Sequence, residues 1–192
     1  MTLTEINLRE KEFHNKLQSK KSGRFETIFY KAIYNAKEDF LNFLRENSIN
    51  SEILDFGCGS GILAIAAALL GATAVAVDHD DQAVLATTEN ALFNGVSTDQ
   101  LQVFNLQHWN RQAGPSAEPF DVISANILAG PLQQLADHFC GLLKSGGRVV
   151  LSGILPQQVD GVIEAYPLID FVNPVIEDDW ACLIGTKHLN VR

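Results

Sequence analysis

Two short stretches of this 192-residue chain hold the residue types that could do chemistry. The first is Ile53-Leu54-Asp55-Phe56-Gly57-Cys58-Gly59-Ser60-Gly61-Ile62-Leu63. Gly57, Gly59 and Gly61 sit where an apolar strand must turn sharply into a helix and where a ligand can approach bare backbone. Glycines serve any tight turn, so their neighbours decide what they are for. Ile62 stands where a nicotinamide-dinucleotide fingerprint wants its third glycine. Asp55 closes the strand beside the place a pyrophosphate would lie. A carboxylate there repels phosphate and attracts an ammonium or a sulfonium. S-adenosylmethionine carries both cations in its tail. Cys58 and Ser60 share the loop and count with its cofactor-facing residues.

Asp78 ends the next apolar run, Val75-Ala76-Val77-Asp78, 21 residues after Gly57. An acidic residue at about that distance can accept both ribose hydroxyls of a nucleoside. The competing role is to cap a helix starting near Asp81, a task Asp80 or Asp81 could equally perform. His79 either packs against an adenine or is simply exposed. Asn105-Leu106, after the third run, is where an adenine edge would be met. The Asn105 carbonyl oxygen can accept an amino hydrogen, and the same residue type serves ordinary turns.

The second stretch is Phe120-Asp121-Val122-Ile123-Ser124-Ala125-Asn126-Ile127-Leu128-Ala129-Gly130-Pro131-Leu132. Asn126 closes an apolar strand where an activated methyl group would lie. Methyl transfer is an in-line displacement that needs a nucleophile with a free lone pair. Deprotonating a lysine amine at neutral pH costs roughly 4–5 kcal/mol. The Asn126 side-chain oxygen and the Ile127 carbonyl could orient such an amine, with Leu128 beside them, and positioning can supply much of the barrier lowering. The alternative for Asn126 is a turn or cap residue. No Ser–His–Asp or metal constellation is readable, since His14, His108, His138 and His188 are scattered.

The elements that must position these residues alternate from residue 52 onward. Expected strands are Ile53–Phe56, Ala74–Val77, Leu101–Phe104, Phe120–Ala125, Arg148–Ser152, Phe171–Ile176 and Ala181–Thr186. Expected helices are Gly61–Leu70, Asp81–Phe93, Pro131–Leu143 with proline at its first position, and Pro156–Tyr166. Strand–helix alternation at this spacing predicts a doubly wound α/β fold with a mostly parallel sheet. Ligands then bind beyond the carboxyl ends of the strands. Residues 1–50 carry apolar residues at helical spacing, broken at Ser22-Gly23, and predict a helical head. Residues 51–192 are expected to form the S-adenosylmethionine-binding unit, and Gln112–Pro119 reads as a loop.

Composition bounds the class. Apolar residues make up 46% and charged residues 19%, as in a soluble globular domain. The longest apolar run, Ile62–Leu70, is far shorter than the roughly 20 residues that span a bilayer. Met1-Thr2-Leu3-Thr4-Glu5 has no basic-then-apolar leader pattern. Cys58, Cys140 and Cys182 are widely spaced, which fits a reducing cytoplasm. Residues 1–50 hold nine Lys/Arg against seven Asp/Glu, and residues 51–192 hold five against sixteen. So acidic a body argues against a nucleic-acid partner. It suits a basic protein or a cationic small molecule, or is simply a solubilising surface.

The loop Leu54-Asp55-Phe56-Gly57-Cys58-Gly59-Ser60-Gly61-Ile62-Leu63-Ala64 resembles that of the ribosomal protein L-eleven methyltransferases. Ala125-Asn126-Ile127-Leu128-Ala129-Gly130-Pro131-Leu132 is a more specific match. Leu151-Ser152-Gly153-Ile154-Leu155 and Glu177-Asp178-Asp179-Trp180-Ala181-Cys182-Leu183-Ile184-Gly185 are similar too. The resemblance covers residues 51–187 and implies a seven-stranded methyltransferase sheet with its last strand antiparallel. It implies S-adenosylmethionine as donor and amino groups of a ribosomal protein as acceptors. Asp55, Gly57, Gly59, Gly61 and Asp78 would then be cofactor residues and Asn126 would lie at the target amine.

Residues 1–50 depart from that family, which carries a separate N-terminal substrate-holding domain and then a glycine- and histidine-containing loop. Glu10-Lys11-Glu12-Phe13-His14-Asn15-Lys16-Leu17 instead resembles the lid helix of small-molecule methyltransferases. Other readings stay open beside protein N-methylation. One is a small-metabolite methyltransferase with Phe25, Tyr30 or Tyr34 lining its pocket. Another is a cofactor-binding scaffold or chimera without turnover. A nicotinamide dehydrogenase is disfavoured by Asp55 and Ile62.

Overall fold

A computed structural model of the chain describes residue 43 and residues 46–109, 119–177 and 179–189. The expected alternation is present. Its first half runs β1 (Glu52–Phe56), α1 (Ile62–Leu69), β2 (Thr73–Asp78), α2 (Asp81–Phe93), β3 (Leu101–Asn105) and β4 (Phe120–Asn126). Then follow α3 (Ala129–Gln134), α4 (Ala136–Leu142), β5 (Leu143–Ile154), a short 3₁₀ turn (Pro156–Gln158) and α5 (Val159–Glu164). Three strands close the chain: β6 (Ile169–Phe171), β7 (Val175–Glu177) and β8 (Trp180–Lys187).

The strands form one sheet in the order β3-β2-β1-β4-β5-β8-β6, with β7 also on β8. β1 to β5 are mutually parallel, and β8 runs antiparallel to β5, β6 and β7. The doubly wound, mostly parallel sheet with an antiparallel last strand is therefore observed. One expected strand, Phe171–Ile176, is instead two. Val172-Asn173-Pro174 interrupts it, because proline has no N–H to donate to a ladder. Both pieces lie along the same edge of β8, so eight strands occupy seven positions across the sheet.

Alternation along each strand sends its two side-chain sets to opposite faces. Leu54, Phe56, Ile123 and Ala125 pack with Leu132, Phe139 and Tyr166 on the α3–α5 side. Ile53 and Val122 meet Ala66 and Ala67 of α1, together with Phe43. Ala74 and Ala76 meet Ala64 and Ala68 of α1 and Ala91 of α2. Alanine on both sides of this last interface lets α1 lie close to the sheet, which keeps the start of the helix near the end of β1.

Helix ends differ from expectation in two places. The helix expected over Pro131–Leu143 starts at Ala129 and divides at Leu135 into α3 and α4, so Pro131 is its third residue. Proline is tolerated there because first-turn amides have no intrahelical partner. The next helix opens with the 3₁₀ turn before α5. The expected head falls outside the described residues apart from Phe43 and residues 46–50, and so do Phe25, Tyr30 and Tyr34. Residues 112–118 of the expected loop lie outside them as well. No described helix is long and apolar enough to cross a membrane.

Candidate active site

The sheet order reverses beside β1: β2 and β3 extend one way from it, and β4 and β5 the other. The crevice outside the carboxyl ends of β1 and β4 is therefore the switch point at which such folds bind ligands. The register brings the candidate residues to one rim. Asp55 is level with Ser124, Phe56 with both Val77 and Ala125, and Asp78 with Asn105.

The glycine loop needs its glycines for stated reasons. Gly57, Gly59 and Gly61 have φ of 76°, 55° and 80°, in the left-handed region that other residues enter only at a cost. A Cβ on Gly57 would strike the Ile127 side chain, whereas nothing stands within 4 Å of a Cβ built on Gly59. The loop hangs from β2, with the Gly57 and Cys58 amides donating to the Val77 carbonyl at 2.8 and 3.1 Å.

Asp55 is the buried half of an acidic pair. It is 1% exposed. Its Oδ2 accepts from the Ala64 amide at 3.1 Å and its Oδ1 from the Ser124 hydroxyl at 3.0 Å. The Ala64 amide belongs to the first turn of α1, which has no side-chain cap of its own, so Asp55 satisfies a helix-start donor from outside the helix. Burial pushes its carboxyl up to about 6, against the opposing pull of Ser124 and Ala64, and nearby Asp78 adds to the rise.

Asp78 lies at the crevice rim, 7% exposed. Its Oδ2 accepts from the Gly59 amide and its Oδ1 from the Asp80 amide, both at 3.0 Å. Helix α2 is capped by Asp80, whose side chain accepts from the Gln82 amide at 2.9 Å. Asp80, not Asp78, thus caps this helix. The His79 side chain is 85% exposed, with Nδ1 3.2 Å from Asp78 Oδ1.

Asn105 acts locally as a turn residue: its Oδ1 accepts from the Gln107 amide at 2.8 Å, and its Nδ2 donates to Asp81 Oδ1 at 2.6 Å. The Leu106 amide donates to the Asp78 carbonyl at 2.7 Å. The β3 end is thereby tied to the start of α2. Asn126, exposed at the end of β4, has no side-chain hydrogen bond among the described residues. Its Oδ1 lies 3.2 Å from where a Cβ on Gly153 would stand, and that Cβ would come within 2.5 Å of the Ile127 carbonyl. Gly153, at φ 80°, therefore lets the β4 end cross close over β5. Ile127 packs on the core beneath Gly57, while Leu128 is 68% exposed.

Cys58 and Ser60 serve the loop. The Cys58 thiol is buried, and burial first, then the charge of Asp55, pushes it up to about 12. Ser60 gives its carbonyl to Asn90 Nδ2 at 2.8 Å. Sequence reasoning missed Ser124, Thr87, Asn90 and Gly153. Ser124 carried a signal, being a polar residue inside an apolar strand at the level of Asp55.

Charge is segregated along the strands. Among the described residues the Lys and Arg side chains are Lys144, Arg148 and Lys187. All three lie at the end of β5 and β8 away from the crevice. Lys144 pairs with Asp121 at 2.9 Å, Arg148 donates to Asn47 at 2.9 Å, and Lys187 donates to the Cys140 and Leu143 carbonyls. The crevice has Asp55, Asp78, Asp80 and Asp81 instead. A phosphate is repelled there and a cation attracted.

The sequence model described as "Ribosomal protein L11 methyltransferase (PrmA)" matches residues 37–188. The chain belongs to the ribosomal protein L11 methyltransferase family. A relative of that name from Saccharophagus degradans is 46% identical over 150 residues, which are 77% of this chain and 49% of the relative. The chain spans about half the length of the curated relatives it matches. A crystal structure of ribosomal protein L11 methylase from Lactobacillus delbrueckii subsp. bulgaricus superposes with a TM-score of 0.65 at 28% identity. That match covers 78% of this chain and 77% of the other. Magnesium protoporphyrin IX methyltransferase from Synechocystis PCC 6803, solved with bound SAM, shares the fold at 15% identity with a TM-score of 0.60 and 82% of each chain covered.

Proposed function

We propose that this chain binds S-adenosylmethionine in the crevice outside β1, β2 and β4 and transfers its methyl group to an amino nitrogen of a ribosomal protein. One observation carries the reading: two low-exposure carboxylates, Asp55 and Asp78, flank a glycine turn with open space beside Gly59, and no described Lys or Arg shares that end of the sheet. A phosphate-bearing dinucleotide would meet repulsion there. An ammonium and a sulfonium would be drawn in.

The donor set also fits a ribose. A carboxylate offers about four lone-pair positions, and the Gly59 and Asp80 amides use one on each oxygen of Asp78. One remains on each oxygen, enough for two vicinal hydroxyls once the exposed His79 ring turns aside. Asn105 and Leu106 border the adenine edge, with one lone pair left on Asn105 Oδ1. Gly57, Cys58, Gly59, Ser60 and Gly61 supply backbone along the tail.

S-adenosylmethionine supplies a methyl group already activated on sulfonium sulfur. The work left to the protein is to present a neutral amine along the line of displacement. Asn126 Oδ1 and the Ile127 carbonyl accept the amine's hydrogens and turn its lone pair toward the methyl, and exposed Leu128 meets the acceptor's aliphatic stem. Orientation of this kind lowers a barrier without a strong base. The setting is the cytoplasm, where ribosomal proteins are made, and the acidic body suits their positive charge.

The test incubates the full chain with methyl-labelled S-adenosylmethionine and either ribosomal protein L11 or a panel of small amines. Label in the ribosomal protein alone supports the proposal. Label only in small amines moves the acceptor to a metabolite, and cofactor binding without transfer to any acceptor leaves a scaffold.

A further inference from the structure

The three loop glycines are held in different ways. Packing fixes two of them, since a Cβ on Gly57 would strike Ile127 and one on Gly61 would come within 2.5 Å of Thr87 Cγ2. Beside Gly59 there is only space, so hydrogen bonds must set the orientation of its peptides. Its amide donates to Asp78 Oδ2 at 3.0 Å. Its carbonyl accepts from the Thr87 hydroxyl at 3.1 Å, and the next carbonyl, that of Ser60, accepts from Asn90 Nδ2 at 2.8 Å. Thr87 and Asn90 are three residues apart and share one face of α2.

Thr87 is fully buried. Its hydroxyl has one hydrogen, and Gly59 receives it. The contact between Cys58 Sγ and Thr87 Oγ1 at 3.3 Å must therefore have the thiol as donor. A thiol pushed up to about 12 by burial keeps the proton this requires. The chain of donors runs Cys58 to Thr87 to Gly59, and the far side of the Gly59 residue holds Asp78. Cys58 thus acts inward, on the helix, rather than toward a ligand.

We infer that Thr87 and Asn90 are positioning residues for the cofactor: Thr87 fixes the Gly59–Ser60 peptide and Asn90 the Ser60–Gly61 peptide, which together hold Gly59 so that its own amide, on the preceding peptide, aims the Asp78 carboxylate at the ribose. This rests on the cofactor reading above. It extends the site to a helix face that contributes no ligand contact of its own.

Thr87→Val keeps the side chain's shape and removes the hydroxyl, and Thr87→Ser keeps the hydroxyl. Calorimetric titration of the full chain with S-adenosylhomocysteine should show affinity falling about tenfold in Thr87→Val. Thr87→Ser should return to within about threefold of the parent. Amide hydrogen exchange on the ligand-free proteins is the second readout. The Gly59 amide should exchange faster in Thr87→Val while Ala67, in the core of α1, keeps its protection. A merely structural role would speed exchange at Ala67 as well. Should Thr87→Val not fold, Asn90→Ala, at a partly exposed position, should give the same pattern. Unchanged affinity in a folded Thr87→Val or Asn90→Ala overturns the inference, whatever the exchange shows. A parent protein that binds no S-adenosylhomocysteine refutes the cofactor reading, and faster Gly59 exchange in the variant then still marks Thr87 as the residue holding the loop.

Discussion

Asp55 offers the sharpest quantitative prediction, because its burial opposes the charge that the proposed ligand would need. Its carboxyl is raised from 3.8 to about 6, chiefly by burial. The folded state therefore holds a proton that the unfolded chain gives up more readily. Stability contributed by that proton is fully present below pH 3.8 and is lost as pH rises through about 6. A rise of this size corresponds to about 3 kcal/mol. Asp55→Asn removes the titration while keeping an oxygen that can accept from Ala64 or Ser124. The stability of the variant relative to the parent should thus climb by about 3 kcal/mol between pH 3.5 and pH 8. For a chain of this size that is about 6–12 °C in melting temperature. Urea unfolding of both proteins at a series of pH values measures the difference, and other carboxylates largely cancel in it. The same variant should bind S-adenosylmethionine far more weakly at pH 8, since the charge that attracts a cationic tail is gone. A stability difference flat from pH 3.5 to pH 8 would refute the reasoning. So would a variant that gains stability and still binds like the parent.

Three further outcomes follow from the same geometry. Asp78→Ala should weaken S-adenosylhomocysteine binding more than about tenfold by calorimetry, because the acceptors for both ribose hydroxyls go with the carboxylate; unchanged affinity removes the ribose assignment. Asn126→Ala should leave that affinity nearly intact and lower turnover in the labelled-methyl assay, whereas loss of both together points to a structural role. Gly57→Ala combines a positive φ with a collision at Ile127. It should destabilise the chain by about 1–3 kcal/mol in urea, and Ile127→Ala in the same chain should recover part of that loss.

Much of the fold was legible because periodicity and glycine placement are local signals. The run Ile53–Phe56, the helix ended near Gly71 and the helix Asp81–Phe93 were placed to within a residue or two. The misreadings lay where a partner strand or a neighbouring backbone decides. Pro174 splits an edge strand whose two halves are recognisable only once β8 lies beside them. Leu143 reads as the end of a helix yet pairs with Phe120 at the start of β5.

At the candidate site, Asp55, Asp78 and Asn126 stood out in the sequence because each closes an apolar run, and the glycines because they mark the turn after β1; the register of β1, β2 and β4 brings these strand ends to one rim. The sequence offered Asp80 or Asp81 as well as Asp78 for the cap of α2, and only the structure singles out Asp80. Thr87 and Asn90 were invisible for a different reason. A threonine and an asparagine on a helix are unremarked in sequence, and their meaning lies in two carbonyls 28 and 30 residues away. Gly153 likewise needed the β4 end above it before its missing Cβ had a purpose.

The central claim is that the acidic crevice at the ends of β1 and β2 is an S-adenosylmethionine site. Calorimetric titration of the purified chain with S-adenosylmethionine, S-adenosylhomocysteine and a nicotinamide dinucleotide, at pH 8 and low salt, tests it most directly. The account predicts micromolar binding of the first two and none of the third. A folded sample that binds neither S-adenosyl compound, or that prefers the dinucleotide, would contradict it.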